Sequence, residues 1–360
     1  MTAVHQFVPV LHRADAVGRH TLRLRDVFAA RGIASRIYVE LADPDTASET
    51  RPYGSYAEDA RPGDVLLYQF ATASAIATWL AARPEALVVN YHNVTPPEHY
   101  APWDNGLARH QLRAQGELRS LAPRAALGLA VSAFNEDELR QAGFTRTAVV
   151  PPAAMLPAAM LPAAVTGTRR SPPAGGSRWI CVGRLAPNKA VEDTLAALVV
   201  ARAHHDARAT LEVVGRPVVP SYTRALLRFV DELGLRDAVV FSGARSDAEV
   251  ATALAGADVL VVSSRHEGFG VPVLEAMAAG LPVVANDAGA LGEVVGDAGL
   301  LVDARDPYAV AGAVERVLHE DGLGERLAQA ASRRLDTLDL ASAGERTVDL
   351  VVSLFSGSAR

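Results

Sequence analysis

Short apolar runs alternate with amphipathic segments through the first half of the chain. Runs of strand length lie at 3–8, 35–39, 64–69, 86–91, 125–131 and 147–150. Between several of them, apolar residues recur at the helical period, at 73–82, 107–121 and 135–141. Strands that alternate with helices in this way predict a parallel sheet of the α/β class.

The same pattern starts again in the second half of the chain. Strand-like runs lie at 178–183, 210–215, 238–243, 258–263, 281–285 and 299–302. Helical patterns separate or follow them, at 190–203, 221–233, 247–254, 271–279, 290–295, 307–319 and 323–335. This alternation predicts a second, Rossmann-like α/β domain.

Residues 151–176 interrupt both patterns. The sequence Ala-Ala-Met-Leu-Pro occurs twice in succession, at 153–157 and 158–162. Prolines and small residues without periodicity are typical of a linker between domains. We therefore expect an N-terminal domain at 1–165, a C-terminal domain at 166–342 and a terminal helix within 343–360.

The composition excludes several classes of protein. Apolar residues make up 49% of the 360 residues, which suffices for two buried cores. No stretch approaches the roughly 20 apolar residues of a transmembrane helix. A net charge of -6 gives no general attraction to nucleic acid. With no visible signal peptide and a single cysteine, Cys181, the sequence predicts a cytoplasmic protein that does not bind nucleic acid.

The clearest chemical signal lies between Ser263 and Ala285. After a strand-like run, Gly268-Phe269-Gly270 forms a loop and Pro272 follows at the start of a helical pattern. Proline suits the first turn of a helix because its missing N–H would have no helical partner there. A glycine loop at a helix N-terminus presents unpaired N–H groups and the positive end of the helix dipole. The stretch therefore predicts a phosphate site.

Two carboxylates flank this loop, at Glu267 and Glu275. Because negative charge beside a phosphate would repel it, we expect the carboxylates to face another part of the ligand. An ionised carboxylate only accepts hydrogen bonds, and its oxygens suit a pair of sugar hydroxyls. The expected ligand therefore combines phosphate and sugar hydroxyls, as a nucleotide sugar does. The alternative is that both glutamates cap the helix and form a solvated face.

This stretch resembles the signature of the retaining glycosyltransferases of family 4. Their signature is Glu-Gly-Phe-Gly, a Pro-x-x-Glu-Ala helix and then Gly-x-Pro-Val-Val-Ala. The resemblance implies that Glu267 binds hydroxyls of the donor sugar and that Glu275 binds the nucleotide ribose. It also implies a donor-binding loop at Gly268, Phe269, Gly270 and Val271.

The family has the GT-B fold, in which two Rossmann-like domains face each other across a cleft. The resemblance implies that the donor binds mainly to the C-terminal domain and the acceptor mainly to the N-terminal domain. The terminal helix is then expected to cross back to the first domain. The resemblance further implies transfer with retention at the anomeric carbon, without a metal ion or another cofactor.

A second candidate phosphate element is the segment 182–189, Val-Gly-Arg-Leu-Ala-Pro-Asn-Lys. Lys189 is the only lysine among 35 basic residues, which is hard to explain as a generic surface charge. The resemblance implies that Arg184 and Lys189 neutralise the donor diphosphate as it leaves. Such stabilisation of developing charge is a major part of catalysis, and arginine and lysine supply a two-pronged donor and a compact charge respectively.

Small residues in other loops are further candidates for the donor site. The resemblance implies that Gly18, between the first strand and the first helix, contacts the donor phosphates or the acceptor. It also implies that Gly243 and Ala244 pack around the nucleobase, with Gly215 lining the same pocket. An ordinary turn is the alternative in each case.

The run 90–97, Asn-Tyr-His-Asn-Val-Thr-Pro-Pro, directly follows a predicted strand. It therefore lies at the carboxyl end of a sheet, where α/β folds bind ligands. Several family members carry a similar run, whose histidine points into the cleft near the reacting sugar. The resemblance implies this role for His92, with Asn93 and Glu98 near the acceptor. The alternative is a structural histidine whose hydrogen bonds are satisfied within the fold.

The sequence leaves the substrates and partners open. The expected donor is a hexose linked to UDP or GDP, with ADP less favoured, and the acceptor is a sugar, a lipid-linked sugar or a natural product. Arginines at 19, 23, 25 and 31 on the first helix suit weak contact with the inner face of a membrane, although a solvated face is favoured. We expect a monomer or a homodimer.

Two other kinds of function use the same motifs. A nucleotide-sugar epimerase or a phosphorylase could be built on the same architecture, and an epimerase would form its product without an acceptor. A non-catalytic nucleotide-sugar-binding protein would be favoured by the loss of Arg184, Lys189 or either glutamate, and all four are present. The sequence therefore favours a glycosyltransferase.

Overall fold

Two parallel β-sheets form the framework of the protein. The computed structural model describes residues 3–13, 15–153 and 175–355. One unit comprises Met1–Pro97, Gly106–Met155 and Asp339–Arg360, and the other comprises Glu98–Asn105 and Leu156–Leu338. The predicted boundary between residues 165 and 166, and most of the predicted linker, lie outside the described residues.

Among the described residues, the sheet of the first unit has seven strands in the order β3-β2-β1-β4-β5-β6-β7. Their bounds are β1 Val4–Val10, β2 Ile37–Leu41, β3 Thr50–Pro52, β4 Val65–Phe70, β5 Ala86–Tyr91, β6 Ala125–Ala130 and β7 Thr147–Val149. All neighbouring strands are parallel, and Gln69 of β4 pairs with Asn90 of β5. The central strands are almost entirely buried, because helices cover both faces of such a sheet.

Helices connect the strands in this half of the chain. They are α1 Ala16–Ala30, α2 Tyr56–Asp59, α3 Ala75–Ala81, α4 Pro97–Tyr100, α5 Asn105–Leu121 and α6 Ala133–Gln141. Side chains cap several N-termini: Asp15 accepts the N–H of Gly18, and Ser132 accepts the N–H of Asn135. These caps satisfy N–H groups that have no partner inside the helix.

The last described helix, α14 Ala343–Val352, belongs to the first unit and packs against α1. Arg31 of α1 forms ion pairs with Glu345 at 2.6 Å and Asp349 at 3.1 Å. Arg25, also on α1, pairs with Glu49 at 2.6 Å. Two of the arginines that suggested a solvated or membrane-facing surface are therefore paired with acidic side chains of the same unit.

Among the described residues, the sheet of the second unit has six parallel strands in the order β10-β9-β8-β11-β12-β13. Their bounds are β8 Arg178–Val182, β9 Thr210–Val214, β10 Val239–Gly243, β11 Val259–Val262, β12 Val283–Asn286 and β13 Leu300–Val302. The helices are α7 Val191–His204, α8 Pro220–Glu232, α9 Asp247–Gly256, α10 Val271–Ala278, α11 Leu291–Val295, α12 Pro307–His319 and α13 Leu323–Leu338. This is the doubly wound order of a Rossmann domain.

The sequence pattern predicts most of these elements to within two residues, and it misses three short ones, β3, α2 and α4. β3 is an edge strand, Thr-Arg-Pro, with no apolar run to mark it. The helices α2 and α4 have four residues each, which is too short for a helical period to be visible. None of the described helices is long and apolar enough to cross a membrane.

Candidate active site

Two loops at the carboxyl ends of neighbouring strands form the candidate site of the second unit. The strands β8 and β11 pair in parallel and end at Val182 and Val262. The loops 183–190 and 263–270 therefore leave the sheet at the same edge. β8 also pairs with β9 on its other side, so the strand order reverses between β8 and β11. Open α/β sheets bind their ligands at such a reversal.

Hydroxyl side chains hold the two loops together. The Ser263 hydroxyl lies 3.0 Å from the carbonyl of Lys189 and 2.8 Å from that of Ala190, and Thr194 donates to Ser263 at 3.0 Å. Ala190 has a φ of +48°, which is unusual for a residue other than glycine. These contacts fix a strained turn directly after Lys189. Nothing in the sequence singles out Ser263 or Thr194 for this role.

Lys189 and Glu267 meet between the loops. The Nζ of Lys189 lies 2.5 Å from the Oε2 of Glu267, and the side chains are only 16% and 15% exposed. The two residues are predicted from separate motifs, and the sequence does not predict their ion pair. The pair brings a compact cation and a carboxylate to one place, so adjacent phosphate and hydroxyl groups of one ligand would each find a partner there.

Arg184 is exposed on the same loop as Lys189. Its guanidinium has no hydrogen bond or ion pair with the described part of the chain. Gly183 precedes it with a φ of +150°, and an added Cβ would lie 3.4 Å from the Cε of Lys189. The loop therefore presents an unpaired arginine beside a lysine that packs closely against the backbone.

The helix α10 begins directly after the loop 263–270. Gly270 precedes the helix with a φ of +98° and no side chain caps it. Within the described residues, the N–H groups of Gly268, Phe269, Gly270 and Val271 have no hydrogen-bond acceptor. Unpaired N–H groups at the positive end of a helix suit an anion. This is the arrangement that the glycine loop and Pro272 predict.

Glu275 lies inside the fold. It is on α10 and is 5% exposed. The alternative that Glu275 belongs to a solvated helix face is therefore wrong. Glu267 is also held closely, because Ala290 donates to its carbonyl at 2.9 Å and a Cβ on Gly289 would lie 2.5 Å from the same oxygen.

Glycines end three adjacent strands of this sheet: Gly183 after β8, Gly215 after β9 and Gly243 in β10. The N–H of Gly215 donates to the carbonyl of Gly243 at 2.8 Å. A Cβ on Gly215 would lie 1.8 Å from the carbonyl oxygen of Gly183. The backbone after β9 therefore approaches the backbone after β8 more closely than a side chain would allow. Gly243 and the exposed Ala244 lie at the sheet edge, two strands away from β8.

In the first unit, His92 follows β5 and is held by a chain of amides. Its Nε2 lies 2.8 Å from the Oε1 of Gln69, and the Nε2 of Gln69 donates to Gln6 at 2.9 Å. Gln6 in turn donates to the carbonyl of Thr21 at 3.0 Å. Burial, reinforced by the nearby ring of His20, lowers the pKa of His92 well below its usual value. The imidazole is therefore neutral near pH 7, which disfavours a role as a cation.

The other candidates of the first half have partners of their own. The Nδ2 of Asn93 donates to Asn135 and to Glu138, each at 2.9 Å. The N–H of Gly18 donates to Asp15 at 2.7 Å, and a Cβ on Gly18 would lie 1.8 Å from the carbonyl oxygen of His12. This glycine is thus required by the turn into α1. Glu98 is exposed and begins the short segment Glu98–Asn105 that groups with the second unit.

Over residues 3–13, 15–153 and 175–355, no three His, Cys, Asp or Glu side chains are grouped as metal ligands would be. Cys181 is buried, and burial raises the pKa of its thiol to about 12.

Comparison with known proteins finds a matching family model and several similar relatives. The model of the glycosyl transferases group 1 matches residues 176–320. The D-inositol 3-phosphate glycosyltransferase of Xylanimonas cellulosilytica is 32% identical over 284 residues, covering 74% of this chain and 67% of the relative. Matches to three other curated relatives span only 23%, 43% and 36% of those proteins.

Solved structures share the architecture at low sequence identity. Sucrose-phosphate synthase from Thermosynechococcus elongatus has a TM-score of 0.77 and 20% identity, covering 99% of this chain and 100% of that one. Anabaena HepE in complex with UDP-glucose has a TM-score of 0.75 and 17% identity, covering 97% and 99%. This likeness and the two parallel sheets confirm the predicted GT-B fold class.

Proposed function

Because the chain belongs to the glycosyl transferases group 1, we propose that it transfers a hexose from a nucleoside diphosphate sugar to a hydroxyl group. The proposal includes retention of configuration at the anomeric carbon and no requirement for a metal ion. The name of the Xylanimonas relative supports a polyol acceptor, and the HepE complex with UDP-glucose supports a UDP-linked donor.

The observation that carries the proposal is the Lys189–Glu267 pair at the reversal of the strand order. In the proposed complex, Lys189 and the unpaired Arg184 bind the diphosphate, and Glu267 accepts hydrogen bonds from hydroxyls of the sugar. Glu275 accepts hydrogen bonds from the ribose. The free N–H groups of 268–271 stabilise negative charge at the positive end of α10.

The proposed reaction exchanges one bond at the anomeric carbon for another. The bond between that carbon and the β-phosphate oxygen breaks, and a bond to the acceptor oxygen forms on the same face. The acceptor proton passes to the departing phosphate oxygen, so the products are a glycoside and a nucleoside diphosphate. Lys189 and Arg184 lower the barrier by stabilising the charge that develops on the leaving group.

A binding panel tests the donor site first. We expect one of UDP, GDP, ADP and TDP, or its hexose conjugate, to raise the melting temperature and to give a calorimetric signal. A ligand at a hundredfold excess over its Kd stabilises the native state by about 2.7 kcal/mol. Lys189→Ala should abolish the response and Glu275→Ala should weaken it. If no nucleotide binds, or if both variants bind as the wild type does, the proposed site is wrong.

Incubation with the bound nucleotide sugar then separates transfer from the other reactions. A glycosyltransferase releases the nucleoside diphosphate in step with glycoside formed on an added acceptor, with the anomeric configuration of the donor. A changed nucleotide sugar without any acceptor would instead identify an epimerase. Tight binding without turnover on any sugar, polyol or lipid-linked acceptor would identify a binding protein.

A further inference from the structure

Asn188 forms two further hydrogen bonds between the two loops of the candidate site. Its backbone carbonyl accepts a hydrogen bond from the N–H of Arg265 at 2.8 Å. Its side-chain Nδ2 donates to the carbonyl of His266 at 3.1 Å. Asn188 directly precedes Lys189, and His266 directly precedes Glu267. The two hydrogen bonds therefore join the residue before Lys189 to the two residues before Glu267.

The orientation of the Asn188 amide is fixed by its partner. A carbonyl only accepts hydrogen bonds, so Nδ2 rather than Oδ1 must face His266. Asn188 is 4% exposed, and its Oδ1 is buried without a hydrogen-bond partner among the described residues. A buried polar atom without a partner destabilises the folded state. Leucine has a similar size; it would remove this unpaired atom but would take the Nδ2 donor away from the carbonyl of His266. The number of buried polar groups without a partner would stay about the same, so stability alone does not account for an asparagine here.

We propose that Asn188 is a positioning residue that fixes the separation between the Lys189 ammonium and the Glu267 carboxylate. The geometric part of this inference stands on the hydrogen bonds alone, and its consequence for ligand binding rests on the proposed function. Lys189 and Glu267 would act on neighbouring groups of one donor. A site of that kind loses much of its effect when one member moves by as little as an ångström.

A second buried asparagine provides a matched control. Asn286 is 9% exposed, and its Nδ2 donates to the carbonyl of Ser264 at 3.0 Å. Its Oδ1 accepts the N–H of Ala304 at 3.0 Å. It therefore anchors the same loop as Asn188 does, but it is adjacent in sequence to neither Lys189 nor Glu267.

The single lysine makes a direct measurement available. Protein grown with [13C,15N]lysine gives one side-chain nitrogen signal in NMR spectra, that of the Lys189 Nζ, because the chain has a single lysine. Glu267→Gln gives the signal of a lysine without its carboxylate. We expect Asn188→Leu to move the Lys189 signal in the same direction, at a melting temperature close to that of the wild type. Asn286→Leu should lower the melting temperature, because it leaves two buried backbone groups unpaired. It should not move the Lys189 signal.

Binding of the nucleotide sugar found in the panel completes the test. Asn188→Leu should weaken it by about tenfold. If Asn188→Leu leaves both the Lys189 signal and the affinity unchanged, or if Asn286→Leu moves the signal equally, the positioning role is refuted. Asn188→Ala supplies the same comparison if the leucine variant does not fold. A shifted signal in a protein whose wild type binds no nucleotide would support the positioning role and refute the proposed function.

Discussion

The Nζ of Lys189 lies 2.5 Å from the Oε2 of Glu267, although 78 positions separate the two residues in the sequence. The pair forms because each residue follows one of two adjacent parallel strands. Two largely buried side chains of opposite charge compensate each other in the absence of ligand. A diphosphate that binds Lys189 must therefore compete with Glu267.

This competition predicts opposite effects of Glu267→Gln on two ligands. The substitution removes the carboxylate that competes for Lys189, so the nucleoside diphosphate that binds in the panel should bind several-fold more tightly. Its hexose conjugate should bind about tenfold more weakly, because a hydrogen bond to a charged group contributes about 1.5–3 kcal/mol. Calorimetry with both ligands measures the two changes. The exposed Glu325 supplies the control, Glu325→Gln, and a change of equal sign for both ligands would contradict the competition.

Arg184 offers a test that separates binding from folding. Its exposed guanidinium has no partner among the described residues, so Arg184→Ala should change the free energy of unfolding by less than about 0.5 kcal/mol. We expect it to weaken nucleotide diphosphate binding by about tenfold, the loss of one charge-assisted hydrogen bond. Arg333→Ala, at an exposed position on α13, controls for net charge. Unchanged affinity at low salt would exclude Arg184 from the site.

The meeting of the two loops is predictable from the sequence, because the carboxyl ends of parallel strands share one edge of a sheet. The ion pair is not predictable, because its partners carry independent motif signals and only the strand order brings them together. Asn188 is missed for a related reason. Its contacts are to backbone carbonyl and N–H groups, which leave no residue pattern in the opposite loop.

The first unit contains a hydrogen-bonded chain of polar side chains that the sequence does not predict. The strand before His92 is predicted at its observed bounds, 86–91. The amide chain starts at Thr21 in α1, passes through Gln6 in β1 and Gln69 in β4 and ends at His92 after β5, so no local pattern reveals it. Polar residues inside otherwise apolar strands are the only signal, and their partners become known once strand order and register are known.

Gly215 should be intolerant of a side chain. Its φ of +153° and the 1.8 Å separation between an added Cβ and the Gly183 carbonyl oxygen both require glycine. Gly215→Ala should lower the free energy of unfolding by about 1–3 kcal/mol from backbone strain, with the steric overlap in addition. Gly116→Ala on α5, where a Cβ would meet nothing within 4 Å, should instead stabilise by about 0.5–1 kcal/mol. Urea denaturation of both variants measures the difference, and equal effects would refute the close approach.

Glu138 should make the stability of the first unit fall as pH rises. Burial raises its pKa to about 7, although Tyr91 and Asn93 donate hydrogen bonds that oppose the shift. The ordinary pKa is 4.5, so between pH 4.5 and 7 the unfolded chain loses this proton before the folded protein does. The folded state then binds more protons, and its stability is lost progressively across that interval, by about 2–3 kcal/mol in total.

Glu138→Gln removes this titration and keeps an oxygen that accepts from Tyr91 and Asn93. The variant should therefore gain stability relative to the wild type as pH rises, by about 2–3 kcal/mol between pH 4.5 and pH 8. Asp137→Asn, at a neighbouring exposed position on α6, should show no such gain. Urea denaturation at several pH values measures the free energies of unfolding. A difference between Glu138→Gln and the wild type that stays constant from pH 4.5 to pH 8 would show that Glu138 is ionised throughout and is stabilised by its two donors.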